Sequence, residues 1–67
     1  MDEKRLLDER ESANRLGLSL ATLRRRRARG LPPAWVCLGK RILYRAQDLD
    51  DLIEASLVRP AANEDQR

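Results

Sequence analysis

Five arginines within six positions, Arg24, Arg25, Arg26, Arg27 and Arg29, are the part of this 67-residue chain best equipped to do chemistry. A guanidinium holds five N–H donors in one plane, stays charged at any physiological pH and can fork onto two acceptors at once. Its natural counterparts are phosphate or carboxylate oxygens and the O6/N7 edge of guanine. Arginine forms helix readily, so propensity alone would allow a charged face with nothing bound to it. Yet the five cations repel one another, and no carboxylate stands at i±4 to relieve them. A polyanionic partner accounts for that arrangement; solubility does not.

The surrounding charge pattern points the same way. The chain carries 14 Lys and Arg against 11 Asp and Glu, a net charge of +3. Between Glu11 and Asp48, however, lie nine cations and no acid: Arg15, the five arginines, Lys40, Arg41 and Arg45. A basic middle between acidic ends is the footprint of a face that meets nucleic acid.

Other chemistries find little support. With no histidine and a single cysteine, Cys37, the chain offers no metal cluster and no intramolecular disulfide, and nothing would activate that thiol as a nucleophile. We find no nucleophile–base pair and no glycine loop to cradle a phosphate, so an enzyme is the least expected reading and no cofactor is called for. The acids after Asp48 read as a solvated face rather than an acid/base couple. A reducing cytoplasm, for a bacterial or phage-encoded protein associated with the nucleoid, is the expected compartment. The segment after Met-Asp-Glu-Lys-Arg lacks an apolar run of signal-peptide length, and nothing approaches membrane-spanning length.

The elements that must position the arginines can be read from caps and stops. Asp8 is an N-cap with Glu9 and Glu11 in the first turn, Ala13 and Leu16 form a short apolar stripe, and Gly17 stops the helix, which predicts a helix over 9–16. After Leu18, read as a buried link, Ser19 caps a second helix over 20–29 that Gly30 ends. Two short helices joined through Gly-Leu-Ser match a helix-turn-helix. At 100° per residue Leu23 marks the inward side, with Leu20 near it, while Ala21, Arg25 and Ala28 lie opposite, flanked by Arg24 on one shoulder and by Thr22 and Arg29 on the other. Small residues beside long cations let a helix approach a groove floor. Arg24 and Arg25 are therefore the expected base readers, with Thr22, Arg29 and Arg26 on phosphates and the Ser19-capped helix N-terminus free to meet another phosphate.

Pro32 and Pro33 forbid further helix. Trp35–Leu38 and Arg41–Tyr44 then flank Gly39-Lys40 as a hairpin with a II′ turn, with Val36, Leu38, Ile42 and Tyr44 expected to face the helices. On that reading Trp35, Cys37 and Leu43 point outward, covered by the proline segment or forming a patch for a partner. Lys40 and Arg41 at the tip would make a second contact along the minor groove or backbone. A third helix is predicted over 46–57, with Leu49, Leu52, Ile53 and Leu57 as its stripe and Asp48, Asp50, Asp51 and Glu54 outside. The fold class expected is mainly α with a small β-hairpin, a winged helix-turn-helix in the order α-α-β-β-α. Its domain spans 6–57, between a flexible N-terminus (1–5) and a disordered C-terminal tail (58–67).

Leu7-Asp8, Ala13, Leu16-Gly17-Leu18-Ser19, Thr22-Leu23, Arg29-Gly30-Leu31-Pro32-Pro33, Val36, Leu38-Gly39, Tyr44-Arg45 and Asp48-Leu49 together resemble the excisionase-type helix-turn-helix family. That family takes in phage and integrative-element excisionases and AlpA-like prophage regulators, and is related to the MerR winged helix. The resemblance covers about residues 6–55. It implies a second helix in the major groove of double-stranded DNA and a hairpin wing on the minor groove or backbone. It further implies an excisionase that bends DNA at repeated sites and redirects a tyrosine integrase, with neighbouring protomers as partners; the alternative is a small transcriptional regulator of a prophage or mobile element. A protein-interaction adaptor is the remaining reading. Ser12, Arg26 and Leu52 depart from the family pattern, which usually has aliphatic, apolar or aromatic, and tryptophan residues there.

Overall fold

A computed structural model describes residues 5–60. The elements run β1 (Leu6–Asp8), α1 (Glu9–Leu16), α2 (Leu20–Ala28), β2 (Val36–Leu38), β3 (Arg41–Arg45) and α3 (Ala46–Ala55). The three helices and the hairpin expected of a winged helix-turn-helix are present. A strand ahead of the first helix was not expected: Leu6–Asp8 pairs antiparallel with β3, so the sheet has three strands in the order β1-β3-β2.

Local chemistry sets most of the boundaries. Asp8 caps α1, its carboxylate accepting the Glu11 N–H at 2.8 Å, and Ser19 caps α2 by accepting the Thr22 N–H at 3.0 Å. Gly17, at φ 71°, closes α1: the Leu18 N–H reaches the Ala13 carbonyl and the Gly17 N–H that of Asn14, the double bond of a Schellman stop. The same pair of bonds, from Leu31 to Arg26 and from Gly30 to Arg27, ends α2. α3 starts without a side-chain cap; one of its orphan donors, the Ala46 N–H, is met by the Arg5 carbonyl ahead of β1.

The core is small. Leu7, Ala13, Leu23, Tyr44, Ala46 and Leu49 are buried together, with Leu16 and Ile42 packed against them. Each large apolar side chain so buried stabilises the fold by about 1.5–3 kcal/mol. Ser12, also fully buried, satisfies its hydroxyl by donating to the Asp8 carbonyl one turn back at 2.7 Å.

The hairpin faces differ from the sequence expectation. Gly39 has φ 61° and Lys40 is not left-handed, which fits the II′ pattern at the tip. A two-residue loop that pairs Leu38 with Arg41 must pair Cys37 with Ile42 and Val36 with Leu43. Paired residues share a face, so Val36 and Leu38 lie on the side of Leu43, opposite Ile42 and Tyr44. Tyr44, alongside Leu7 of β1, points into the core, whereas Leu38 is exposed. Leu43, expected outside, is buried because it sits in the central strand between Asp8 and Val36. Trp35 and Cys37 are exposed and not covered by the proline segment, and Cys37, expected opposite Ile42 and Tyr44, shares their face because it pairs with Ile42. The stripe of α3 is shorter than its sequence suggests: Leu49 is buried and Leu52 partly so, but Ile53 and Leu57 are exposed, since nothing among the described residues packs beyond the first turns. Leu18 is half-buried rather than fully so. Most of the flexible terminus and tail expected from the sequence, residues 1–4 and 61–67, lies outside the described residues.

Candidate nucleic-acid interface

α2 is held to the domain by a single fully buried side chain, Leu23. With that residue inward, the remaining positions sort by rotation: Leu20, Thr22, Arg26 and Arg27 are half-buried at the flanks, and Ala21, Arg24, Arg25, Ala28 and Arg29 are exposed. The outward strip is therefore two alanines between arginines, as the rotation of the sequence required.

The five arginines, alike in sequence, have different surroundings. Arg27 lies lowest, its Nη1 donating to Glu9 Oε2 at 2.6 Å and to the Tyr44 hydroxyl at 3.0 Å. Arg24 stands higher on the same side, with Nε and Nη2 donating to the two oxygens of the same carboxylate at 3.3 and 3.0 Å. Side-chain exposure is 55% for Arg24, 22% for Arg27 and 20% for Glu9. Hydrogen bonding from Arg24, joined by Arg27 and opposed by burial, holds the Glu9 carboxyl below the usual range for glutamate. Arg26 turns the other way and donates from Nε to the Pro32 carbonyl at 2.7 Å, tying α2 to the proline segment. Arg25 and Arg29 make no side-chain hydrogen bond or ion pair among the described residues and, with Thr22 and Leu31, border a shallow depression.

These contacts revise the electrostatic reading. No carboxylate relieves the run from within α2, but Glu9 of α1 does so from across the turn, and it takes two of the five cations. Arg45 is likewise matched, forking onto Asp48 at 2.6 and 3.0 Å. Of the nine cations between Glu11 and Asp48, those left without a carboxylate among the described residues are Arg25 and Arg26 of α2, Arg29 at its C-cap, Lys40 and Arg41 on the hairpin tip, and Arg15. Lys40 and Arg41 are both exposed, and Arg41 opens β3 beside Leu38.

At the N-terminus of α2 the Ser19 hydroxyl is doubly used: its oxygen accepts the Thr22 N–H and its proton goes to Thr22 Oγ1 at 2.8 Å. The Thr22 hydroxyl proton is left over for an outside acceptor. Of the residues expected at the interface, Ala21, Arg25 and Arg29 share the open strip, Thr22 and Arg24 flank it, and Ser19 and Arg26 are occupied by internal bonds. Sequence reasoning missed Glu9 and gave Arg27 no role. The helical rotation does place Arg27 beside Leu23, but Glu9 lies 15 residues from Arg24 and 18 from Arg27, a separation that carries no local signal.

No group of three or more potential metal ligands exists among the described residues, and no helix there is long and apolar enough to cross a membrane. No curated protein and no solved structure matches the chain. A family model described as a helix-turn-helix domain matches residues 6–56, which contain every element of the fold. With a glycine-stopped turn between two capped helices and an arginine strip exposed on the second, the chain belongs to the helix-turn-helix family of the excisionase/AlpA type, and it is a small DNA-binding protein.

Proposed function

We propose that this protein binds specific double-stranded DNA sites as an excisionase, a recombination directionality factor that bends DNA at repeated sites and steers a tyrosine integrase toward excision. The observation that supports it is the outward strip of α2, where Arg25 and Arg29 stand beside Ala21 and Ala28 with no internal acceptor. In this reading the two alanines let the helix sit low in the major groove, Arg25 forks onto a guanine, and Arg29 and the Thr22 hydroxyl take phosphates. Arg24 adds a second base contact, and Lys40 and Arg41 reach the backbone or minor groove beside it. Ser19 acts through the cap that keeps the Thr22 hydroxyl pointed outward, and Arg26 through the Pro32 carbonyl that steadies the end of the helix.

Double-stranded binding should weaken steeply with salt, because each neutralised phosphate releases counterions; log K falls with log[salt] with a slope of about −0.9 per phosphate contact. Affinity for duplex that ignores ionic strength would end the proposal. The excisionase role is tested separately, by adding the protein to a purified integrase reaction and by placing the bound site at different positions along a fragment to read bending from mobility. Stimulated excision with a bent site is the expected result. Occupancy of a promoter with recombination unchanged would assign the chain to the family's regulators instead.

A further inference from the structure

We propose that Glu9 is a specificity-determining residue of the DNA interface: it grips one edge of the Arg24 guanidinium and thereby presents the opposite edge for a base. This rests on the DNA-binding reading above.

A guanidinium has two edges able to fork onto a pair of acceptors, one formed by Nε and Nη2 and the other by Nη1 and Nη2. Glu9 occupies the first edge completely, one oxygen on Nε and the other on Nη2. Both Nη1 hydrogens and the second Nη2 hydrogen remain uncommitted, and together they make the end-on fork that fits the O6 and N7 atoms of guanine. The Arg24 side chain is 55% exposed and its Nη1 donates to no acceptor among the described residues, while Glu9 beneath it is largely covered; in the proposal the Nη1/Nη2 edge is the one that meets the base. Glu9 is itself held, because Arg27 donates to the same carboxylate and is anchored to Tyr44 of β3. The chain of contacts Tyr44–Arg27–Glu9–Arg24 thus runs from the core to the surface of α2. It replaces the free rotation of a long side chain with one orientation, and fewer rotamers are lost when a base is bound.

The carboxylate acts a second way. Any anion that Arg24 meets also meets the negative charge of Glu9 about 3 Å behind the guanidinium. A phosphate, which offers charge and little directionality, loses more from that neighbour than does a neutral guanine edge, which offers two aligned acceptors. Glu9 therefore weakens contacts common to all DNA more than the contact made at the cognate site. Arg25 and Arg29 on the outer strip have no such partner among the described residues, so it is at Arg24 that an acidic neighbour sets the preference for a base over a phosphate.

The test compares wild type, Glu9→Gln, Arg24→Gln and the double variant on cognate and scrambled duplexes over a range of salt, with the cognate duplex taken from selection on random-sequence DNA. Glu9→Gln is expected to tighten binding to scrambled duplex and steepen its salt slope by about one phosphate equivalent. The cognate-to-scrambled ratio should fall about five- to tenfold, the lower end of what one bidentate base contact contributes. In the Arg24→Gln background the same change at Glu9 should leave the ratio unmoved. A ratio unaltered by Glu9→Gln, or altered equally with and without Arg24, overturns the assignment, whereas wild type that fails to bind any duplex overturns the DNA-binding reading instead. A measurement on the unaltered protein guards against a variant that does not fold. The Arg24 Nε–H should give a slowly exchanging NMR signal both free and on cognate DNA, and its loss on binding would show that the base or phosphate displaces Glu9, contrary to the proposal.

Discussion

α2 and α3 are nearly equal in length, and each is fastened by very few fully buried side chains, Leu23 in one and Ala46 with Leu49 in the other. Their outer faces are opposite in sign. α3 shows Asp50, Asp51 and Glu54, while Asp48, expected outside with them, is largely covered beneath Arg45, and α2 shows its arginines. The dipoles suit Asp48 in the first turn of α3 and Arg25, Arg26 and Arg27 in the last turn of α2, but not Glu54 in the last turn of α3. The dipole favours an acid at the start and a cation at the end of a helix by about 0.3–1 kcal/mol each, and does not account for the whole run of like charge on either helix. What separates them is how the charges are matched. In α3, Asp48 is gripped by Arg45 and the other acids face water. In α2, Arg24 and Arg27 are gripped by Glu9, and Arg25 and Arg29 are left as a cationic strip that water can solvate but no carboxylate neutralises. A domain with a positive face and an acidic third helix orients itself before it touches a polyanion.

The contrast can be broken at its anchors first. Leu23→Ala and Leu49→Ala should each cost about 2–5 kcal/mol in denaturant unfolding, while Ile53→Ala on the exposed end of α3 should stay within about 0.5 kcal/mol. Equal losses at all three would mean that the helices are not held where their buried residues say. Next in size is the surface itself. Arg25→Ala should weaken binding at the cognate site by about 1–3 kcal/mol and leave the thermal midpoint in place. Asp50→Asn combined with Glu54→Gln on α3 should leave binding unchanged or slightly tighter, and a matching loss there would erase the distinction between the two faces.

Tyr44→Phe sharpens the comparison from within. It removes the hydroxyl that Arg27 donates to, and the expected cost is about 1 kcal/mol of stability, read from chemical denaturation. Acid should act in the same place. The folded pKa of Glu9 lies below its unfolded value, so the stability it contributes is present above the unfolded pKa of about 4.3 and fades as pH falls through the folded value. The stability gap between wild type and Glu9→Gln should therefore shrink on going from about pH 6 to about pH 3; a gap that widens in acid would reverse the sign of the ion pair. The smallest effect belongs to the hairpin tip, where Lys40→Ala should reduce the salt slope of DNA binding by about one and weaken all sequences alike.

Much of this molecule follows from interactions only a few residues long. Asp8, Gly17 and Ser19 act on backbone groups within one turn, which is why the boundaries of α1 and the start of α2 are legible from the chain alone. Helical rotation, also local, placed Leu23 inside and Ala21, Arg25 and Ala28 outside. The faces of the hairpin followed from its loop length, but only once the pairing of Leu38 with Arg41 is taken through to Val36 and Leu43.

What local chemistry could not specify are the contacts between residues far apart in the chain. β1 exists because Leu7 lies beside Tyr44 on β3, and three residues have too little strand propensity to announce a strand without that neighbour. The sorting of five identical arginines into a half-buried brace, a surface cation gripped by Glu9, a tie to Pro32 and two cations without an internal partner among the described residues depends on where α1 delivers Glu9 and where the loop after α2 turns back. Residue type determined that α2 would be cationic; packing decided which of those cations remained available, because a charge is matched by whatever lies within a few ångströms, however distant it is along the sequence.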